Sequence, residues 1–143
     1  MLELLSHVAS AYAGTDAEAL AAELRGEVTA DRKELEKLME ALEISQSATR
    51  KASAWVGEKL GVLKLKVDDL KAGALRLLEA TDAMSVGIEG KRLLWVALRR
   101  AAGDDPRLRV LDYDRLEERA LDQRRRVENL RLKAAAEALA DQE

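Results

Sequence analysis

Three polar residues stand where a helical repeat would otherwise place an apolar one. Asp31 interrupts the run Leu20, Leu24, Val28, Leu35, Leu38, Leu42, whose spacings alternate three and four. Gln123 interrupts Leu116, Ala120, Val127, Leu130, Ala134 in the same way. Glu89 lies three residues after Val86 and four before Leu93, on one apolar face of a third helix. Glu27 and Glu34 flank Asp31 on a neighbouring ridge, and Arg126 follows Gln123 by nearly one turn. A carboxylate packed among apolar side chains must find a cation, a metal or a proton. Asp31, Glu34, Glu89, Gln123 and Arg126 are therefore the candidate site, read as a buried polar cluster. Arg126 carries a charge that no deprotonation removes, so an internal ion-pair network is expected. In that network Arg126 meets Glu89 or Asp31, and Gln123 bridges them by hydrogen bonds. A weak divalent site made by Asp31, Glu34 and Glu89 is the second reading, and a solvent-facing set the third. Burial of Glu89 in an ion pair predicts a loss of roughly 3–5 kcal/mol for Glu89→Ala.

The elements that must position these residues are helices. Met84 to Leu98 is the central stretch, apolar on two sides: Met84, Ile88, Leu94, Trp95 and Leu98 on one, Val86, Leu93, Val96 and Ala97 on the other. Such a helix is expected to be packed by more than one neighbour. Before it, residues 2–13 read as a short helix and Gly14-Thr15-Asp16 as its end. Thr15 with Glu18 forms a capping box that opens a second helix over about 16–44. Ser45 or Ser47 caps a short third helix to about residue 62, carrying Trp55. Leu63-Lys64-Leu65-Lys66-Val67 alternates with period two, but no second strand is present to pair with it, so it reads as a connector. Asp68 or Asp69 caps the long helix that contains the central stretch and ends at Gly103. Gly103-Asp104-Asp105-Pro106 is a break, and Asp114 with Glu117 marks a last helix over about 114–141. The sum is an all-α four-helix bundle, one domain over residues 1–143, with a short first helix and a crossover helix between its second and third members. The short first helix leaves an apolar stripe that a second copy of the chain would close. Gly87 and Gly90 inside the central helix predict close approach by another helix, since each costs ~1 kcal/mol relative to alanine.

Composition narrows the chemistry. The 143 residues include no cysteine, no phenylalanine and one proline, so disulfides, thiol catalysis and cysteine zinc sites are excluded. The net charge of −3 divides unevenly: residues 1–46 carry −6 and residues 47–76 carry +4. Opposed charge on successive helices fits internal complementarity rather than a basic nucleic-acid footprint. Arg124-Arg125-Arg126 is the densest basic cluster, but Glu118, Asp122 and Glu128 interleave it and no aromatic residue is there to stack a base. His7, the single histidine, reads as a surface or end-of-core residue. No serine has a histidine partner for a triad. Gly87-x-x-Gly90 follows no strand and is not a phosphate loop. The start lacks a basic n-region, and no apolar run reaches the ~20 residues of a membrane span. The expectation is a cytoplasmic protein with no integral membrane segment.

Coincident polar positions on long helices are how di-metal carboxylate bundles are built, with a Glu from each of two helices and Glu-x-x-His from the other two. The chain resembles the ferritin-like superfamily, in a bacterial branch related to stress-associated members. The resembling segments are 24–38, 87–91 and 121–130, around Asp31, Glu89 and Gln123. What the resemblance implies is the bundle fold and a site at those positions. Its metal ligands are not repeated here. Where the family has Glu-x-x-His, this chain has Asp31-Arg32-Lys33-Glu34 and Gln123-Arg124-Arg125-Arg126. Both imidazoles are missing, and such iron or manganese sites need imidazole beside bridging carboxylates. The functional expectation is a non-catalytic, cofactor-free bundle, a homodimer acting as a structural or protein-interaction module. A stress-related protein with a reduced carboxylate metal site is one alternative. An amphipathic lipid- or granule-surface binder is the other.

Overall fold

Among the described residues, side chains cap only the 3-10 turn and the last helix, through Asp105 and Asp112. The computed structural model describes residues 1–43 and 73–140, and among them every regular element is helical. Helix α1 spans Leu2–Ala11, α2 Asp16–Ala41, α3 Ala74–Ala102 and α4 Tyr113–Leu139, with a 3-10 turn at Pro106–Leu108. The expected crossover helix to residue 62, Trp55, the alternating stretch 63–67 and the caps Asp68 and Asp69 lie outside the described residues.

Gly14 turns the chain between α1 and α2 in the left-handed region, at φ 81°, which glycine adopts without steric cost. Thr15 is the N-cap residue of α2, as its type predicts, but its side chain turns back and donates to the Tyr12 carbonyl. Glu18 accepts the Gly14 N–H at 2.6 Å, one residue before the cap, and the Thr15 N–H goes to the Tyr12 carbonyl, so neither bond of the expected capping box forms. The start of α4 also differs from expectation. Asp112, not Asp114, is the cap, accepting the Arg115 N–H at 3.1 Å. Two residues earlier, the chain can still place the buried Tyr113 hydroxyl on the Leu108 carbonyl, 2.6 Å away. At the end of α3, Arg109 donates to the carbonyls of Ala102 and Gly103 at 2.8 and 3.1 Å, satisfying groups a helix end leaves free.

Long-range contacts fix the topology. The Tyr12 hydroxyl donates to the Gly73 carbonyl at 2.8 Å, so α1 ends where α3 begins. Leu24 shares one core cluster with Ala80 and Met84, and Leu38 the other with Trp95 and Ala102, so α2 and α3 run parallel. Ion pairs Arg126–Glu23, Arg115–Glu34 and Lys133–Asp16 set α4 antiparallel to α2. Glu43 and Gly73 thus sit at opposite ends of a bundle roughly 40 Å long, given ~1.5 Å per residue. Helix α1 reaches only half that length: the Met1 side chain lies against Gly87, where an added Cβ would collide with the methionine methyl. Gly87 therefore does serve a close approach, by a side chain rather than a helix. Gly90 serves none among the described residues, where an added Cβ would meet nothing within 4 Å.

The core divides in two. One cluster gathers Leu5, Val8, Leu24, Met84, Ile88, Val127 and Leu130, and the other Leu38, Trp95, Leu108, Leu111, Tyr113 and Leu116. Met84, Ile88 and Trp95 are almost wholly buried, as the first apolar face of the central stretch predicts, but Leu94 of that face is exposed. The second face is not packed: Val86 and Leu93 are 63% and 53% exposed. Helix α3 thus has one core face, and the other looks outward.

Candidate functional site

Between the two clusters lies a polar layer at the level of Asp31, Lys91 and Gln123, each one helical heptad step from an apolar core residue on both sides. Asp31 falls between Leu24 and Leu38 on α2, and Gln123 between Leu116 and Leu130 on α4. Both are fully enclosed, with relative exposures of 2% and 0%. Lys91 occupies the matching position on α3, in the series Met84, Ile88, Lys91, Trp95, Leu98.

Asp31 holds the centre. Its Oδ2 accepts from Lys91 Nζ at 2.6 Å, and its Oδ1 accepts from Arg119, whose Nε is 2.9 Å away and whose Nη2 also binds. Both carboxylate oxygens are therefore committed to cations. Gln123 closes the arrangement: its Oε1 accepts from Lys91 Nζ, while Nε2 faces Asp31 Oδ2 at 3.3 Å and Glu27 Oε1 at 3.4 Å. This orientation follows from charge, since the reverse would aim an NH2 group at an ammonium. An amide at position 123 has a physical role. It gives donors to two carboxylates that repel one another, where a glutamate would have added a third negative charge.

Arg126 tightens the edge. Its Nη2 lies 2.6 Å from Glu27 Oε1 and its Nη1 3.3 Å from Glu23 Oε2. The hydrogen bond from Arg126 holds the Glu27 carboxyl below its ordinary range, with burial opposing it. Lys91 is pulled below the ordinary lysine range by burial, and the contact with Asp31 opposes that shift. An amine with a carboxylate at 2.6 Å keeps its proton engaged, so Lys91 is not presented as a nucleophile.

Of the residues the sequence singled out, Asp31 and Gln123 meet in this layer and the other three do not reach Asp31. Glu89 lies on another side of α3, where Arg92 grips it through Nε at 2.9 Å and Nη2 at 2.6 Å, with Arg124 at 3.2 Å. Its side chain is 31% exposed, so the expected deeply buried ion pair with Arg126 is replaced by a half-buried one with two other arginines. Glu34 sits nearer the rim, 3.5 Å from Arg115. Arg126 pairs with Glu27 rather than with Glu89 or Asp31. The cause is helix phase: Glu89 and Lys91 differ by two residues, about 200° of rotation, and it is Lys91 that faces inward.

These positions do not fit a metal. Among the described residues no three His, Asp or Glu side chains gather as a ligand set. Asp31, the one carboxylate at the centre, is flanked by two cations that would repel a divalent ion. His7 lies exposed on α1 beside a shallow groove lined by Glu3, Ser6, Ser10 and Arg25, away from the layer. No family model, curated protein or solved structure matches the chain. Among the described residues no helix is long and apolar enough to cross a membrane.

Lys91 and Arg119 are the residues that sequence reasoning missed. Arg119 stands four residues before Gln123 and three after Leu116, on the core side of α4. Lys91 stands three residues after Ile88 and four before Trp95, on the same core face of α3. Both were marked by register, and masked by residue type, since long cationic side chains ordinarily carry their charge to water.

Proposed function

We propose that this chain is a non-catalytic helical bundle of the ferritin-like superfamily, in which an ion-pair layer stands where relatives of that fold hold metal. The observation that carries this reading is the saturation of Asp31: both its oxygens are bound by Lys91 and Arg119 at the midpoint of the bundle. Helix order supports the architecture. An antiparallel pair α1–α2, a parallel relation of α2 to α3, and an antiparallel pair α3–α4 make an arrangement with one long crossover connection, the topology of ferritin-like bundles.

In this reading the protein works as a self-associating structural or protein-interaction module. Exposed aliphatic side chains support it: Leu75, Val86 and Leu93 on α3, Leu121, Leu132 and Leu139 on α4. The ion-pair layer then serves registry. Asp31, Lys91, Arg119 and Gln123 join three helices, and any shift by one turn would strand a charge between apolar clusters. The test is sedimentation equilibrium over a hundredfold range of concentration. A dimer mass supports self-association, and a monomer at every concentration overturns it.

A further inference from the structure

The outward face of α3 carries Glu79, Asp82, Val86, Gly90, Leu93 and Arg100, spaced by whole turns of helix. Val86 and Leu93 are among the most exposed large apolar side chains described. Gly90 stands between them with open space where its Cβ would be. A mid-helix glycine weakens a helix relative to alanine, and at Gly87 the Met1 side chain uses the room so created. At Gly90 nothing among the described residues does.

The face is symmetric about the point between Glu89 and Gly90. Val86 lies as far to one side as Leu93 to the other, and Glu79 as far as Arg100. Its charge is antisymmetric: Glu79 and Asp82 are acidic on the N-terminal side, Arg100 basic on the C-terminal side. Asp82 already reaches Arg131 at 3.3 Å and Glu79 reaches Arg76 at 3.0 Å, whereas Arg100 makes no ion pair among the described residues.

From these features, and resting on the self-association proposed above, we infer that a second copy of this chain packs its α3 antiparallel against this one, with the two-fold axis beside Gly90. Each Val86 then meets the other copy's Leu93, and each Glu79 faces the other copy's Arg100. The glycines at the centre let the two backbones approach. A parallel pairing would set Arg100 against Arg100 and Glu79 against Glu79, so charge selects the antiparallel one. One surface serves both copies, as a two-fold interface requires.

The chain has no cysteine, so Gly90→Cys supplies a single thiol, at a position with space for it. Oxidised glutathione should convert this variant largely to a disulfide-linked dimer, while Ala22→Cys, exposed on α2, stays unlinked. Arg100→Glu should weaken dimerisation at least tenfold, and the double exchange Glu79→Arg with Arg100→Glu should restore it. A dimer by mass that fails to cross-link at Gly90→Cys and ignores the charge changes overturns this interface and leaves self-association standing. A monomer at all concentrations overturns both.

Discussion

Lys91 Nζ on α3 lies 2.6 Å from Asp31 Oδ2 on α2, and the same ammonium touches the Gln123 oxygen on α4. One part-buried cation thus ties three helices at the midpoint of the bundle. Removing Asp31 leaves Lys91 and Arg119 facing each other with only the more distant Glu27 as counter-charge. Asp31→Ala should therefore cost roughly 3–5 kcal/mol, the loss expected when one member of a buried pair is deleted. Urea denaturation read by circular dichroism measures it, and a cost below ~0.5 kcal/mol would contradict the layer.

Lys91→Met keeps the stem of the side chain and removes its charge. Asp31 retains Arg119, so the predicted loss is smaller, about 1–3 kcal/mol, the desolvation cost of an acceptor left without its donor. An equal or larger loss than that of Asp31→Ala would mean that Arg119 contributes nothing.

Glu89 is a different case. Held by Arg92 and Arg124 at the bundle surface, its carboxyl is pulled down to about 2, chiefly by the Arg92 hydrogen bonds, with burial opposing. A carboxyl with a depressed folded value stabilises the fold fully above its ordinary 4.5 and loses that contribution as pH falls towards about 2. Thermal midpoints should fall across this window, and Glu89→Gln should flatten part of the fall. The substitution should also matter less in high salt, which screens exposed pairs. An unchanged acid slope in Glu89→Gln would place the pH dependence elsewhere, Glu27 being the next candidate because Arg126 lowers it too.

The sequence carried the register of α2 and α4 and misassigned one helix. Alternating three and four steps placed Leu24, Asp31, Leu38 and Leu116, Gln123, Val127 on the core side, where they lie. Helix α3 offered two apolar faces, and composition alone could not rank them. Packing against α1 and α4 buries the side with Met84, Ile88 and Trp95, which turns Lys91 inward and leaves Val86 and Leu93 exposed. Partner choice was less legible still. Arg126 stands one turn from Gln123, yet whether it reaches Glu27, Glu89 or Asp31 depends on which helix is its neighbour, and adjacency is a tertiary fact.

Two glycines allow a paired comparison. Gly90→Ala fills open space and should stabilise the isolated chain by up to ~1 kcal/mol through helix propensity. Gly87→Ala gains the same propensity but displaces the Met1 side chain, so its net gain should be smaller. Thermal melts at concentrations below any dimer dissociation constant make the comparison. A larger gain for Gly87→Ala would contradict the packing of Met1.

The central claim is that Lys91 and Arg119, and no metal, neutralise Asp31. Native mass spectrometry of the purified protein, before and after anaerobic incubation with excess ferrous or manganous ion, tests it most directly. The account predicts no stoichiometric gain of mass. A gain of one or two ions per chain, lost in Asp31→Asn, would contradict it and make Asp31 a ligand.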